Sequence, residues 1–329
     1  MLIKLKPGLR AAEVDRLKAK LAELLPGADL AGGRGSLSVH TGRLELLGAK
    51  LALIENLPGV LKTELRLEEA CPRALTAPPP ELDAIFKKSR GDRFILIAGP
   101  CAIEDEASYL AAASRLKAAG ANALRAAVYK PRTSPYSFQG IGPKGFSIIG
   151  KAKRRTGLAA VTEATSETQI AAIARACDVI QIGARNMRNY ELLKAAAAPG
   201  KPVLLKRAPG ATLKEWLLSA EYLVKYGTAE IILCERGDSF SKPDPRGLDL
   251  KMIRRAAAAT ALPVIADPSH AAGDRDRVPA QALAAMKAGA DGLMLEASPN
   301  SDSAVIDGRQ TLSLPAFTRL LKDIKKLRR

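Results

Sequence analysis

Histidine is scarce in this chain: His40 and His270 are the two in 329 residues, so any imidazole chemistry must use one of them. The four cysteines, Cys71, Cys101, Cys177 and Cys234, form no C-x-x-C pair. That spacing excludes a zinc ribbon and a thioredoxin-type motif. No apolar run reaches the roughly 20 residues of a transmembrane helix. Met1 to Pro7 shows neither a long apolar stretch nor a small-residue cleavage site, so a secretory signal and a disulfide framework are not expected. A cytoplasmic protein is the expectation. Walker A and dinucleotide-binding fingerprints are absent too.

What is present is an ordinary globular balance, 47% apolar and 26% charged, which excludes disorder as the overall state. The charge is lopsided: 51 Lys and Arg against 34 Asp and Glu, a formal +17. Such a surplus suits nucleic acid, a membrane surface, small anionic substrates or simply a basic surface. Residues 1–80 hold 12 basic and 9 acidic groups, so +14 falls on the remainder.

The chain changes character near residue 80. Before it, residues 2–6, 36–40 and 60–67 alternate like strands, and 10–25 and 48–56 carry helical spacing. A further short strand fits 28–31. This order predicts a small ferredoxin-like domain over 1–75. Ala77-Pro78-Pro79-Pro80 then favours an extended, semi-rigid stretch, read as a Pro-rich linker and lead-in segment over 76–90.

From residue 94 onward, short apolar runs alternate with Ala-rich helical stretches. The runs are 94–98, 123–128, 158–161, 179–182, 203–205, 231–234, 264–266 and 292–295. They are continuously apolar, as buried parallel strands are. Eight such units between 91 and 329 predict an α/β fold, a (β/α)8 TIM barrel, whose usual size is about 250 residues. A doubly wound open sheet would want a Gly-rich first turn, and none is present.

Each run ends in something polar. Cys101, Lys130, Glu163, Arg185, Lys206-Arg207, Glu235-Arg236, Asp267 to His270, and Glu296 follow the eight in turn. In a barrel these tips converge on the face that carries active sites. Two sets result. Cys101, His270 and Glu296, with Asp307 in the loop after the eighth run, offer a thiolate, an imidazole and two carboxylates. That donor set suits a first-row divalent transition metal better than Mg²⁺ or Ca²⁺. Taken singly, such a Cys is more often a small buried hydrophobe and such a His a hydrogen-bonding residue. The second set is cationic: Arg125, Lys130, Arg132, Arg185, Lys206, Arg207 and Arg236. Several guanidinium forks on one concave face point to a polyanionic ligand, a small phosphorylated metabolite rather than a nucleotide.

The segments that carry these residues resemble one family. They are Ala98-Gly99-Pro100-Cys101-Ala102-Ile103-Glu104, Lys130-Pro131-Arg132-Thr133-Ser134-Pro135-Tyr136, Gln181-Ile182-Gly183-Ala184-Arg185-Asn186, Leu204-Leu205-Lys206-Arg207, Asp267-Pro268-Ser269-His270 and Ala290 to Glu296. Over about 90–315 the chain resembles the 3-deoxy-D-arabino-heptulosonate 7-phosphate (DAHP) synthases, in the class with an N-terminal ferredoxin-like domain. The resemblance implies a metal-dependent transferase that condenses phosphoenolpyruvate with erythrose 4-phosphate, the first step of the shikimate pathway towards aromatic amino acids. It implies a metal at Cys101, His270, Glu296 and Asp307, with Mn²⁺ favoured over Co²⁺, Fe²⁺ or Zn²⁺. By the same resemblance Arg185, Lys206 and Arg236 clamp the phosphate of phosphoenolpyruvate, and Arg125 and Lys130 lie near its carboxylate. Arg132 and Thr133 take the sugar phosphate. Lys130 doubles as a proton donor, Glu163 positions water, and Asp267 joins the substrate-binding set. An aromatic amino acid effector on the first domain and a homo-oligomer, dimer or tetramer, are implied as well; the alternative for that domain is an oligomerisation or capping module with no ligand. Neither nucleic acid nor membrane is an expected partner.

Departures from the family pattern also stand out. Ala126-Ala127 replaces two glycines, Ala208-Pro209 follows Lys206-Arg207 where glycine is usual, residues 238–246 are changed, and Arg309 replaces a proline. The nearest rival is 3-deoxy-D-manno-octulosonate 8-phosphate synthase, which takes a five-carbon sugar phosphate. It reads Lys-Ala-Asn-Arg where this chain has Lys130-Pro131-Arg132-Thr133. A basic nucleic-acid binder on a degenerate barrel is the non-enzymatic rival, and it has no need of Cys101.

Overall fold

The computed structural model describes residues 1–33, 35–86, 94–131, 134–238, 247–301 and 306–328. The chain divides into two compact units, Met1–Leu75 and Thr76–Arg329. Among the described residues no helix is long and apolar enough to cross a membrane.

The first unit runs β1 (Leu2–Leu5), a helix Ala11–Leu24, β2 (Asp29–Gly33), β3 (Ser36–His40), a helix Leu44–Glu55 and β4 (Val60–Glu64). The sheet order is β2-β3-β1-β4, with each neighbouring pair antiparallel. That is the split β-α-β arrangement of a ferredoxin-like domain. Alternation in β3 explains the geometry: Leu37 and Val39 point inward onto Leu17 and Leu21 of the first helix, and Ser36 and Ser38 do not. The further short strand expected at 28–31 is β2, shifted to Asp29–Gly33 and paired with β3 along its length. His40, at the end of β3, is exposed.

The second unit is a closed barrel. Its strands are β5 (Ile95–Gly99), β6 (Ala123–Arg125), β7 (Ala159–Ala164), β8 (Val179–Ile182), β9 (Val203–Lys206), β10 (Ile231–Glu235), β11 (Val264–Ala266) and β12 (Gly292–Ser298). All pair in parallel, and β12 pairs with both β11 and β5, which closes the ring. A two-residue β13 (Leu312–Ser313) extends beside the far end of β12. Helices between the strands carry local stop and start signals. Thr212 and Glu215 form a capping box at the start of Leu213–Tyr226, and Gly120 and Gly157 end two others in the left-handed conformation.

The inside of the ring is filled by Ile97, Val161, Val179, Leu204, Ile232, Ile265 and Met294. Leu82 and Phe86 join this cluster from the segment before β5, and Phe86 is 1% exposed. The Pro-rich segment is therefore more than a spacer. Its prolines lead into a short helix, Asp83–Phe86, that plugs the ring near Ile95, where β5 begins.

Several strand boundaries differ from the sequence reading. The ladders run on to carry polar side chains: β7 includes Thr162 and Glu163, β9 includes Lys206, β10 includes Glu235 and β12 includes Glu296, so these residues sit on strand rungs rather than in the loops. β6, by contrast, stops at Arg125, and Ala127 forms an isolated bridge with Ala102. The two alanines 126 and 127 are buried at ordinary φ, because Asp307 is the one non-glycine residue at positive φ among those described.

Candidate active site

The strand tips do converge. Cys101 Sγ, a His270 ring nitrogen, a Glu296 carboxylate oxygen and an Asp307 carboxylate oxygen all lie within 4.8 Å of one another. Cys101 follows β5, Glu296 sits on β12, and β5 and β12 are neighbours: Glu296 is paired with Gly99. His270 rides on the short helix Pro268–Ala272 after β11, which pairs with β12 on its other side. Asp307 comes from the loop that returns to β13. Residues 206 positions apart thus meet: Cys101 Sγ donates to Asp307 Oδ2 at 2.8 Å.

Asp267 sets the histidine. Its Oδ1 accepts the backbone N–H of His270 at 3.1 Å and so caps that helix. Its Oδ2 lies 2.8 Å from His270 Nδ1, though out of line for a hydrogen bond, and pairs with Lys206 Nζ. The other ring nitrogen, Nε2, faces Glu296 Oε1 at 3.4 Å. A carboxylate beside one ring nitrogen and further potential ligands beside the other is how ligating histidines are usually held. Asp267 is fully buried behind Lys206 and His270. In this position it supports the Lys206 and His270 side chains.

Glu296 is also fully buried. Arg125 Nη1 donates to its Oε1 at 2.7 Å, Gln310 Nε2 donates to its Oε2 at 2.6 Å, and its backbone N–H donates to Ser269 Oγ at 2.9 Å. Burial pushes its carboxyl up, but His270, Arg125 and Lys130 outweigh that and hold its pKa at about 2. Cys101 is pulled the other way. Burial first, then the charges of Glu296 and Asp307, push its thiol well above the ordinary value. Burial also lowers His270, so its imidazole stays neutral near pH 7. A neutral imidazole, a buried sulfur and two carboxylates form a donor set that a divalent cation would complete, because the cation supplies the charge that ionises the thiol.

The cationic side of the mouth is lined by Arg125, Lys130, Arg185, Lys206 and Arg236, together with Glu163, Gln181, Gly183 and His270. Arg236 donates to the His270 carbonyl at 3.3 Å. Lys130 is 8% exposed. Burial works against its ammonium, yet the Glu163 and Glu296 carboxylates beside it favour the charged form, and the group stays protonated. Gln181 Nε2 donates to Glu163 Oε2 at 3.3 Å. Gly183 makes room for that carboxylate: a Cβ there would collide with Glu163 Oε1.

Arg207 does not belong to the mouth. It is 1% exposed and is held by Glu235, by Asp238 at 2.7 Å and by the Ala208 and Ala211 carbonyls. The next residue after an inward strand side chain points outward, so Lys206 and Arg207 diverge. Arg132 and Thr133, expected at the sugar phosphate, lie outside the described residues. Gln181, Gly183, Ser269 and Gln310 support the site and drew no role from sequence. Gln181 and Gly183 had a faint signal, since both sit at the tip of β8; Gln310 had none.

A closed (β/α)8 barrel with a four-donor cluster and a ring of cations at its mouth defines a class: barrel enzymes for small anionic substrates. Residues 79–329 match the family model of the DAHP synthetase I family, and the chain belongs to that family. Over 235 residues it is 43% identical to the phospho-2-dehydro-3-deoxyheptonate aldolase of Thermotoga maritima, covering 71% of this chain and 70% of the relative. A solved structure of phospho-2-dehydro-3-deoxyheptonate aldolase (DAHP synthase) from Thermotoga maritima matches 99% of this chain and 96% of its own, with TM-score 0.81 and 34% identity. A 2-dehydro-3-deoxyphosphooctonate aldolase of Nitratidesulfovibrio vulgaris is 34% identical over 265 residues, 75% of this chain and 96% of the relative.

Proposed function

We propose that the chain condenses phosphoenolpyruvate with erythrose 4-phosphate and water to give DAHP and inorganic phosphate, a transferase reaction that opens the shikimate pathway. Membership of the DAHP synthetase I family carries the reading, and the cations and candidate ligands gathered at one barrel mouth support it. The sugar is the point of choice between DAHP synthase and the octulosonate synthase. Lys130-Pro131-Arg132-Thr133 favours the four-carbon sugar.

Arg185, Lys206 and Arg236 hold the phosphate of phosphoenolpyruvate, and Arg125 and Lys130 lie by its carboxylate. Arg132 and Thr133 take the sugar phosphate. With both substrates fixed, C3 of phosphoenolpyruvate forms a bond to the aldehyde carbon of the sugar. Lys130 Nζ, kept as an ammonium by its neighbours, delivers a proton to the aldehyde oxygen as that bond forms. Glu163, braced by Gln181, orients the water that adds to C2; one of that water's protons restores Lys130, and the other leaves with phosphate as the C2–O bond breaks and the C2 carbonyl forms. Cys101, His270, Glu296 and Asp307 would hold a divalent metal, Mn²⁺ first, with Co²⁺, Fe²⁺ or Zn²⁺ as alternatives. Such an ion supplies Lewis-acid polarisation of the aldehyde side. The ferredoxin-like unit binds an aromatic amino acid effector, and the enzyme works as a homo-oligomer in the cytoplasm.

Purified protein incubated with Mn²⁺ and both substrates should consume phosphoenolpyruvate, and a chelator should stop it. Absence of turnover with erythrose 4-phosphate but turnover with a five-carbon sugar phosphate would shift the assignment to the rival synthase. Cys101→Ala should lose the metal-dependent rate while its circular dichroism stays that of the wild type.

A further inference from the structure

The two oxygens of Glu296 have different partners. Oε1 takes Arg125 and faces His270; Oε2 takes Gln310. Gln310 closes the short 3-10 turn Gly308–Gln310, and Asp307 opens it. Asp307 holds φ 57, in the left-handed region, where aspartate is among the few side chains tolerated. Its carbonyl accepts the Gln310 N–H at 3.1 Å and the Thr311 hydroxyl at 3.0 Å. One amide side chain therefore ties the turn that presents one carboxylate to the other carboxylate.

We infer that Gln310 is a positioning residue of the metal centre, fixing the rotation of the Glu296 carboxylate and seating the Asp307 turn through the same hydrogen bond. The inference rests on the metal site proposed above. A carboxylate swings easily about its terminal torsion, whereas an ion needs one oxygen in one place. A neutral N–H on Oε2 removes that freedom without competing for the ion as a further cation would. Outer-shell partners of this kind typically change metal affinity about 10–100-fold.

The test uses full-length protein stripped of metal: wild type, Gln310→Met, Gln310→Ala, and Cys101→Ala as control. Free Mn²⁺ is followed by electron paramagnetic resonance during titration, and the thermal midpoint of each stripped protein is recorded. Methionine keeps the length of the side chain and lacks the donor; alanine serves if methionine disturbs folding. The expected result is Mn²⁺ affinity lower by about tenfold or more at an unchanged midpoint of the stripped protein, with much of kcat restored at saturating Mn²⁺. Variants that bind within about twofold of wild type, or that lose affinity only in step with a fallen midpoint, overturn the inference. A wild type that takes up no Mn²⁺ overturns the metal site itself, and this inference with it.

Discussion

Asp267, behind the mouth, serves three partners at once: Lys206, the His270 ring and the His270 backbone. Burial alone would raise its pKa; His270 and Lys206 outweigh that and hold it well below the ordinary carboxylate range. A carboxyl depressed in this way contributes stability above its unfolded value of about 3.9, and that contribution fades as pH falls through it towards the folded value. Asp267→Asn leaves the Lys206 ammonium buried without its counter-charge and should cost about 3–5 kcal/mol in urea unfolding at pH 7. The gap between variant and wild type should narrow towards pH 2. At Gly183 the effect is on catalysis: Gly183→Ala pushes the Glu163 carboxylate of β7 away from its seat beside the β8 tip and should lower kcat about tenfold or more, with little change in KM for phosphoenolpyruvate. The four-donor cluster was legible in sequence because Cys101, His270 and Asp307 follow strands, Glu296 lies near the end of one, and only two histidines exist. The parts played by Asp267 and Arg207 were not, since a letter at a strand tip does not say whether its side chain meets solvent, substrate or another charge.

At the scale of elements, buried parallel strands betray themselves as continuous apolar runs, and all eight were readable. Their ends were less so, because Glu163, Lys206 and Glu296 look like loop residues until the ladder is seen to carry them. The plug was hidden for a different reason. Leu82 and Phe86 sit just beyond three prolines, in a stretch too short for any periodicity to show. Phe86→Ala should destabilise the barrel by about 3–5 kcal/mol in chemical denaturation. A shortened chain that starts at Thr76 should keep a cooperative transition, and one that starts at Phe94 should not. Arg275 is a brace of the same scale. Its Nη2 donates to the Ser301 and Gly308 carbonyls, and its backbone N–H donates to the Arg309 carbonyl. It therefore grips both flanks of the loop that bears Asp307. Arg309, where the family pattern has proline, is exposed and leaves this grip intact.

Over the whole molecule, the +17 is not a pool of free cations at the mouth. Arg125 is spent on Glu296, Lys206 on Asp267, and Arg207 on Glu235 and Asp238. Composition shows the surplus and cannot show the pairing. The division into two units, each with its own core, gives the effector question a clean form. Tyrosine or phenylalanine should inhibit the full chain and leave one beginning at Thr76 unaffected; equal rates in both at millimolar amino acid would refute regulation through the first unit. One last consequence follows from the pairing of β12 with β5. The first and last staves of the barrel meet at a seam, and Cys101 and Glu296 stand on opposite sides of it. The four-donor cluster is complete only once the final stave has been laid. Once loaded, an ion across the seam acts as a clasp. At a free concentration 100 times its Kd it should stabilise the closed ring by about 2.7 kcal/mol, seen as a higher Tm with Mn²⁺ that Cys101→Ala does not share.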